Sequence, residues 1–282
     1  MTAVHILTLA CPDRPGIVAS ISQGLLELDA NILENAQFSD EATTTFCMRT
    51  RFETPIGNPE TIIEALAPRA AALDAELNVR TEQKRLRVLV MVSTVDHCLL
   101  DLLYRVGMDE MPIDIALVVS NRTDLADTAA RHGIPFEHIP ITPDTRKEAE
   151  ARLLDLVAAH RIDLVVLARY MQILSDEICA RLAGRIINIH HSFLPSFVGA
   201  RPYNQAWKRG VKIIGATAHY ATADLDEGPI IDQDVARVSH SHTPQQMQIV
   251  GRDLERVVLS RAVRAHAEGR VFLLGHRTVV FT

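Results

Sequence analysis

From Leu86 onward, short runs that are apolar at nearly every position alternate with helical stretches, and this alternation limits the available folds more than any other feature of the chain. A strand with one wet face alternates apolar and polar residues. A strand apolar throughout is covered on both sides, as in a parallel sheet sandwiched between helices. Strands are expected at Leu86–Val92, Ile113–Ser120, Phe136–Ile139 and Leu164–Leu167, with helices at Asp96–Val106, Asp124–His132 and Arg146–His160. Further strands are expected at Arg185–His190, Val211–Tyr220 and near Ile230–Val238. A long helix from Thr243 to about Glu268 and a small hairpin, Val271–Leu274 with Thr278–Phe281, complete the reading. The fold class is α/β, a Rossmann-like, mostly parallel sheet.

The segment before Glu82–Arg85, a charged joint, has another rhythm. Val4–Ala10 is β-prone, Pro12–Gly16 breaks it, and Ile17, Ile21, Leu25 and Leu28 recur at helical spacing. Paired strands over Asn31–Ser39 and Thr43–Glu53, a helix opened by Pro59 and a strand at Leu77–Thr81 complete a ferredoxin-like βαββαβ order. Two domains follow, residues 1–83 and 84–282.

Composition narrows the partners. A net charge of −6 and a pI near 6.0 argue against nucleic acid or an anionic membrane surface as the main partner. Cys11, Cys47, Cys98 and Cys179 are scattered without a C-x-x-C pair and read as reduced core residues of a cytoplasmic protein. Neither a signal peptide nor a run of about 18 apolar residues is present.

Polar chemistry concentrates in Arg185–Asp232. On a strand, side chains at i and i+2 share a face, so Asn188 and His190 point together where an otherwise apolar strand ends. The turn Ala223–Pro229 brings Asp226 from the end of the next strand. An amide, an imidazole and a carboxylate are what hydrolysis of an amide-like carbonyl needs: an oxyanion donor, a group that titrates near neutrality, and an acid that accepts a proton or holds the imidazole. Read singly, each also fits a structural role at a turn or strand end. A metal is not expected: no H-E-x-x-H or close Cys/His set is present, and the adjacent His190 and His191 should point to opposite faces. The first βα turn, Val92–His97, lacks glycine, which excludes a dinucleotide fingerprint or P-loop there, and Ser93 with Asp96 suggests a capping box.

These motifs carry two resemblances. Met1 to about Glu82, with Asp13-Arg14-Pro15-Gly16 at the first loop and Asn31 after the helix, resembles an ACT domain, which implies an amino-acid effector site using Asp13, Arg14, Gly16 and Asn31 and assembly as a homodimer or homotetramer. The same loop also reads as a plain tight turn. Residues from Arg85 onward, through Asn188-Ile189-His190, the Ser192–Ser196 loop, Gly215–His219 and Leu225–Pro229, resemble the folate-dependent formyltransferase fold. That resemblance implies Asn188, His190 and Asp226 as the catalytic trio and Arg169, Tyr170, Met171, Ile173 and Leu174 as the pterin-pocket segment, which otherwise reads as a core plug at the sheet end. Gly199, Arg201, Tyr203 and His219 are secondary substrate-binding candidates.

Transferases of that family that act on glycinamide ribonucleotide hold a phosphate on a glycine-rich first turn, and those that act on methionyl-tRNA carry a basic C-terminal domain. With neither feature present, the implied reaction is hydrolysis of 10-formyltetrahydrofolate to formate and tetrahydrofolate in one-carbon and purine metabolism, with no metal or other cofactor. The alternatives are formyl transfer to an amine and a catalytically silent folate or amino-acid sensor.

Overall fold

The structure, a computed structural model, describes residues 2–194 and 202–282. The chain divides into two units, residues 1–84 with 268–282, and residues 85–267.

The first unit contains β1 (Ala3–Pro12), α1 (Ile17–Leu26), β2 (Asn31–Asp40), β3 (Thr45–Thr54), α2 (Pro59–Ala72) and β4 (Glu76–Thr81), with sheet order β2-β3-β1-β4 and every pairing antiparallel. This is the expected βαββαβ unit. Leu7, Leu9 and Cys11 of β1 and Phe46 and Met48 of β3 pack with Ile17, Ile21 and Leu25 of α1 and Ile62 and Leu66 of α2. Strand alternation turns Ala10 and Cys47 to the other face of the sheet. There they meet Phe272, Leu274 and Phe281 of the terminal hairpin, β12 (Val271–Leu274) and β13 (Arg277–Val280). The hairpin was expected to belong with residues 84–282; it groups instead with the first unit, because β1 and β3 are apolar on both faces and need a second cover.

The second unit holds a seven-stranded sheet, β11-β10-β9-β8-β5-β6-β7. Its strands are β5 (Leu86–Val92), β6 (Ile113–Ser120), β7 (Phe136–His138), β8 (Leu164–Leu167), β9 (Ile186–His190), β10 (Ile213–Tyr220) and β11 (Ile230–Arg237). Pairings among β5 to β9 are parallel, and β10 runs antiparallel to both β9 and β11. The helices are α3 (His97–Gly107), α4 (Ala126–Arg131), α5 (Arg146–Ala159), α6 (Asp176–Arg181), α7 (Pro202–Arg209) and α8 (Pro244–Ala267). β8 is buried at all four residues, as a strand covered on both faces must be. The sheet order reverses at β5, between β8 and β6. A crevice opens outside the carboxyl ends of the strands at such a reversal.

α6 and α7 were not anticipated. α6 nevertheless carries a readable start, with Ser175 at its N-cap accepting from Ile178 N–H and Asp176 and Glu177 in its first turn. No helix among the described residues is long and apolar enough to cross a membrane.

Candidate active site

β9 delivers Asn188 and His190 from one face, as strand geometry requires, and β10 lies antiparallel beside it with His219 opposite Asn188. His219 Nδ1 lies 3.0 Å from the Tyr220 carbonyl and so carries the proton. Its Nε2 then accepts from Asn188 Nδ2 at 3.1 Å. That bond fixes the Asn188 amide and leaves its second N–H for another acceptor.

Asp226 arrives on the turn after β10. Its backbone is left-handed, at φ 59°, a conformation aspartate tolerates better than most residues. The turn lies against β10 only because residue 228 is glycine: a Cβ there would stand 1.7 Å from the Tyr220 carbonyl oxygen. Tyr220 N–H in turn donates to Pro229 O at 2.9 Å. So held, Asp226 Oδ2 lies 3.1 Å from His190 Nδ1, and Oδ1 lies 3.8 Å from His219 Nε2. Burial pushes the Asp226 carboxyl up, but the hydrogen bond from His190 outweighs it and holds the acid well below the usual carboxylate range. His190 is 5% exposed, and its Nε2 has no hydrogen-bond partner among the described residues. With Nδ1–H donated to Asp226, that nitrogen is the group free to exchange a proton with a substrate.

A cavity of about 230 Å³ is lined by Asn188, His190, His191, His219, Asp226 and the whole Arg169–Leu174 segment. That segment is pinned rather than loose. Met171 N–H donates to Ser93 Oγ at 3.1 Å, Arg146 donates to Ile173 O at 2.7 Å, and Glu150 accepts from Ser175 N–H at 2.8 Å. Tyr170 is buried in the core, whereas Met171 and Ile173 are 56% and 57% exposed. One segment thus serves as both core plug and cavity wall.

Three expectations change. Ser93 does not cap α3, which has no side-chain cap; its hydroxyl donates to Asn121 Oδ1 at 2.8 Å and holds the cavity wall at Met171. His190 and His191 do not diverge, because β9 ends at His190 and the chain bends; their rings stack with centroids 5.0 Å apart. Tyr203 does not line the cavity, and its hydroxyl donates to Glu255 Oε1 at 2.7 Å. Gly199 and Arg201 lie outside the described residues.

Sequence reasoning missed Glu255, which sits on α8 at 1% exposure. His97 Nε2 and Arg169 Nε approach its Oε2 at 2.8 and 3.4 Å. Burial raises its carboxyl, but the His97 hydrogen bond and the Arg169 charge hold it below the usual range. His97, Cys98 and Glu255 place ligand-type atoms within 4.8 Å of one another. A metal suits them poorly, because Arg169 already serves as counter-cation and burial drives the Cys98 thiol well up, away from the thiolate a metal needs. His191 is pushed down to about 4, first by burial and then by the Arg169 charge, so it is neutral at pH 7.

In the first unit, Arg14 donates to Leu73 O at 2.7 Å and to Asp74 at 2.9 Å, and Asp13 accepts from Ser39 Oγ. Gly16 holds φ 93° at the start of α1, and Asn31 donates to Glu53 at 3.2 Å.

A family profile described as formyl transferase matches residues 86–263. The formyltetrahydrofolate deformylase of Corynebacterium sp. strain P-1 is 47% identical, and that of Escherichia coli strain K12 is 42% identical, each across 98% of this chain and 97% of the relative. The crystal structure of formyltetrahydrofolate deformylase from Burkholderia mallei superposes with a TM-score of 0.96 at 48% identity, covering 99% of this chain and 100% of that one. Glycinamide ribonucleotide transformylase 1 from Symbiobacterium toebii reaches a TM-score of 0.67 at 31% identity, over 73% of this chain and 98% of its own.

Proposed function

We infer the reaction from a plain premise: this chain belongs to the formyl transferase family and, over nearly its whole length, to the formyltetrahydrofolate deformylases within it. It is a hydrolase that converts 10-formyltetrahydrofolate and water to formate and tetrahydrofolate, a step of one-carbon and purine metabolism. The observation that carries the mechanistic reading is the 3.1 Å contact of His190 Nδ1 with Asp226, which leaves Nε2 without a partner in a residue that lines the cavity with Asn188.

An acid held as low as Asp226 is a poor proton acceptor and a good partner for an imidazolium. Water therefore gives its proton to His190 Nε2 as its oxygen bonds to the formyl carbon, and Asp226 steadies the charge that forms on the ring. The carbonyl oxygen becomes an oxyanion and accepts from the free N–H of Asn188. The carbon–N10 bond then breaks, N10 takes the proton back from His190, and formate leaves. His219 acts through Asn188 by holding its amide. The apolar stretch Met171, Ile173 and Leu174 suits the flat face of a pterin. No step calls for a metal.

For the first unit the reading is regulatory: a small amino acid binds at the Asp13–Gly16 loop and Asn31, and copies of the chain assemble as a dimer or tetramer in the cytoplasm. The separate fold without catalytic groups supports it, as does the edge strand β2 with its exposed Ile32, Leu33 and Phe38. The deciding experiment incubates the purified protein with 10-formyltetrahydrofolate and no acceptor. Formate and tetrahydrofolate in equal amounts are expected; folate binding without formate release would overturn the reading in favour of a sensor.

A further inference from the structure

Three features of the second unit each work against folding, and they meet in one place. Glu255 is a carboxylate on the buried face of α8, where an apolar residue of similar volume commonly gives equal or better stability. Gly251 stands one turn earlier in the same helix, where alanine would be the better helix former. Arg169 keeps φ at 66°, in the left-handed region that long side chains rarely adopt.

The three share one product. A Cβ at position 251 would stand 1.9 Å from Tyr203 Oη, so the glycine makes room for that ring. Tyr203 then reaches Glu255 Oε1 at 2.7 Å, while His97 and Arg169 close on Oε2 at 2.8 and 3.4 Å. The cluster backs the reaction cavity. Arg169 and His191 line that cavity, and the His191 ring lies 5.0 Å from His190 and 6.3 Å from Tyr203.

A hydrolase that activates a formyl group needs a barrier against other nucleophiles, because an unprotonated amine attacks the same carbon more readily than water does. The fold does not provide that barrier, since a protein named as a transformylase shares it. We propose that Arg169, gathered on Glu255 with Tyr203 behind it, is a specificity-determining residue that fills the space beside the formyl carbon and so restricts the nucleophile to water. The proposal rests on the hydrolytic reading above. In a site without the filling, an amine nitrogen bonds to the formyl carbon and loses a proton, the carbon–N10 bond breaks, and N10 gains a proton. The products are an N-formyl amine and tetrahydrofolate, and no water is consumed.

The test uses the full chain with Arg169→Gly, which suits the left-handed backbone at that position, and separately with Tyr203→Ala. Each is given 10-formyltetrahydrofolate and rising concentrations of glycinamide, and formate and N-formylglycinamide are measured against a blank without protein. Wild type is expected to yield formate alone, and at least one variant to raise the ratio of formylated amine to formate tenfold or more. Unchanged ratios in both variants overturn the proposal. So does loss of both products from variants that keep the wild-type circular dichroism, because the side chains would then belong to the chemistry itself. Wild type that releases no formate sinks the hydrolytic reading instead, a separate outcome.

Discussion

Asp226 and Glu255 are both buried, both held ionised and both paired with a histidine, yet they stand in opposite situations. Asp226 sits on a strained turn and faces a cavity, and its partner His190 has a ring nitrogen left over. Glu255 sits in mid-helix with both oxygens engaged by three neighbours. A buried acid whose partner retains a free nitrogen can pass protons on; one that is fully engaged holds other groups in place.

That contrast breaks most easily at Asp226. Asp226→Asn keeps the shape of the side chain and removes the charge behind His190, so turnover is expected to fall about 10³–10⁴-fold with KM little changed. Formate release kinetics check this, and a loss under tenfold would leave Asp226 no different in kind from Glu255.

At Glu255 the main effect should appear in stability instead. Glu255→Ala strands the Arg169 cation in a buried site, and a loss of roughly 3–5 kcal/mol is expected in urea unfolding. A variant as stable as wild type would show that the cluster is not a structural one.

A smaller effect sharpens the role of what lies between the acids. His191 is neutral down to about 4 in the folded protein and titrates at its ordinary value when unfolded. Its depressed folded value contributes stability above pH 6.5, and that contribution is lost as pH falls from there toward 4, because only the unfolded chain takes up the proton. The loss is of order 2–3 kcal/mol, and His191→Gln should flatten the stability curve over that window.

The smallest expected effect lies at the cavity rim. Met171→Ala removes an exposed, apolar side chain, and a rise in KM of about 3–10-fold at constant kcat is expected from lost contact area. A fall in kcat instead would place Met171 nearer the reacting carbon than the cavity lining suggests.

Much of this was legible in the sequence, for reasons tied to particular residues. The strands of the second unit announce themselves because burial on both faces leaves little room for polar residues. Asn188 and His190 share a face by the two-residue period alone, and Asp226 follows from a turn that glycine and proline mark. The Glu255 cluster was hidden because its contacts join residues 52 and 158 positions apart. A faint signal existed, a glycine and a glutamate four apart on the apolar side of a long helix. Ser93 was misread because a serine before a helix suits a cap equally well, and only the fold brings Met171 and Asn121 to it.

The hairpin at residues 271–280 has a consequence for the order in which the protein is made. Its Phe272 and Leu274 close over Cys47, so the sheet of β1 to β4, which is made earlier, stays half-covered until the hairpin emerges. The unit encoded in between is finished earlier. Cys47, fully buried in the folded protein, should therefore react with a thiol reagent on nascent chains stalled short of residue 268, and become protected only once the hairpin has emerged.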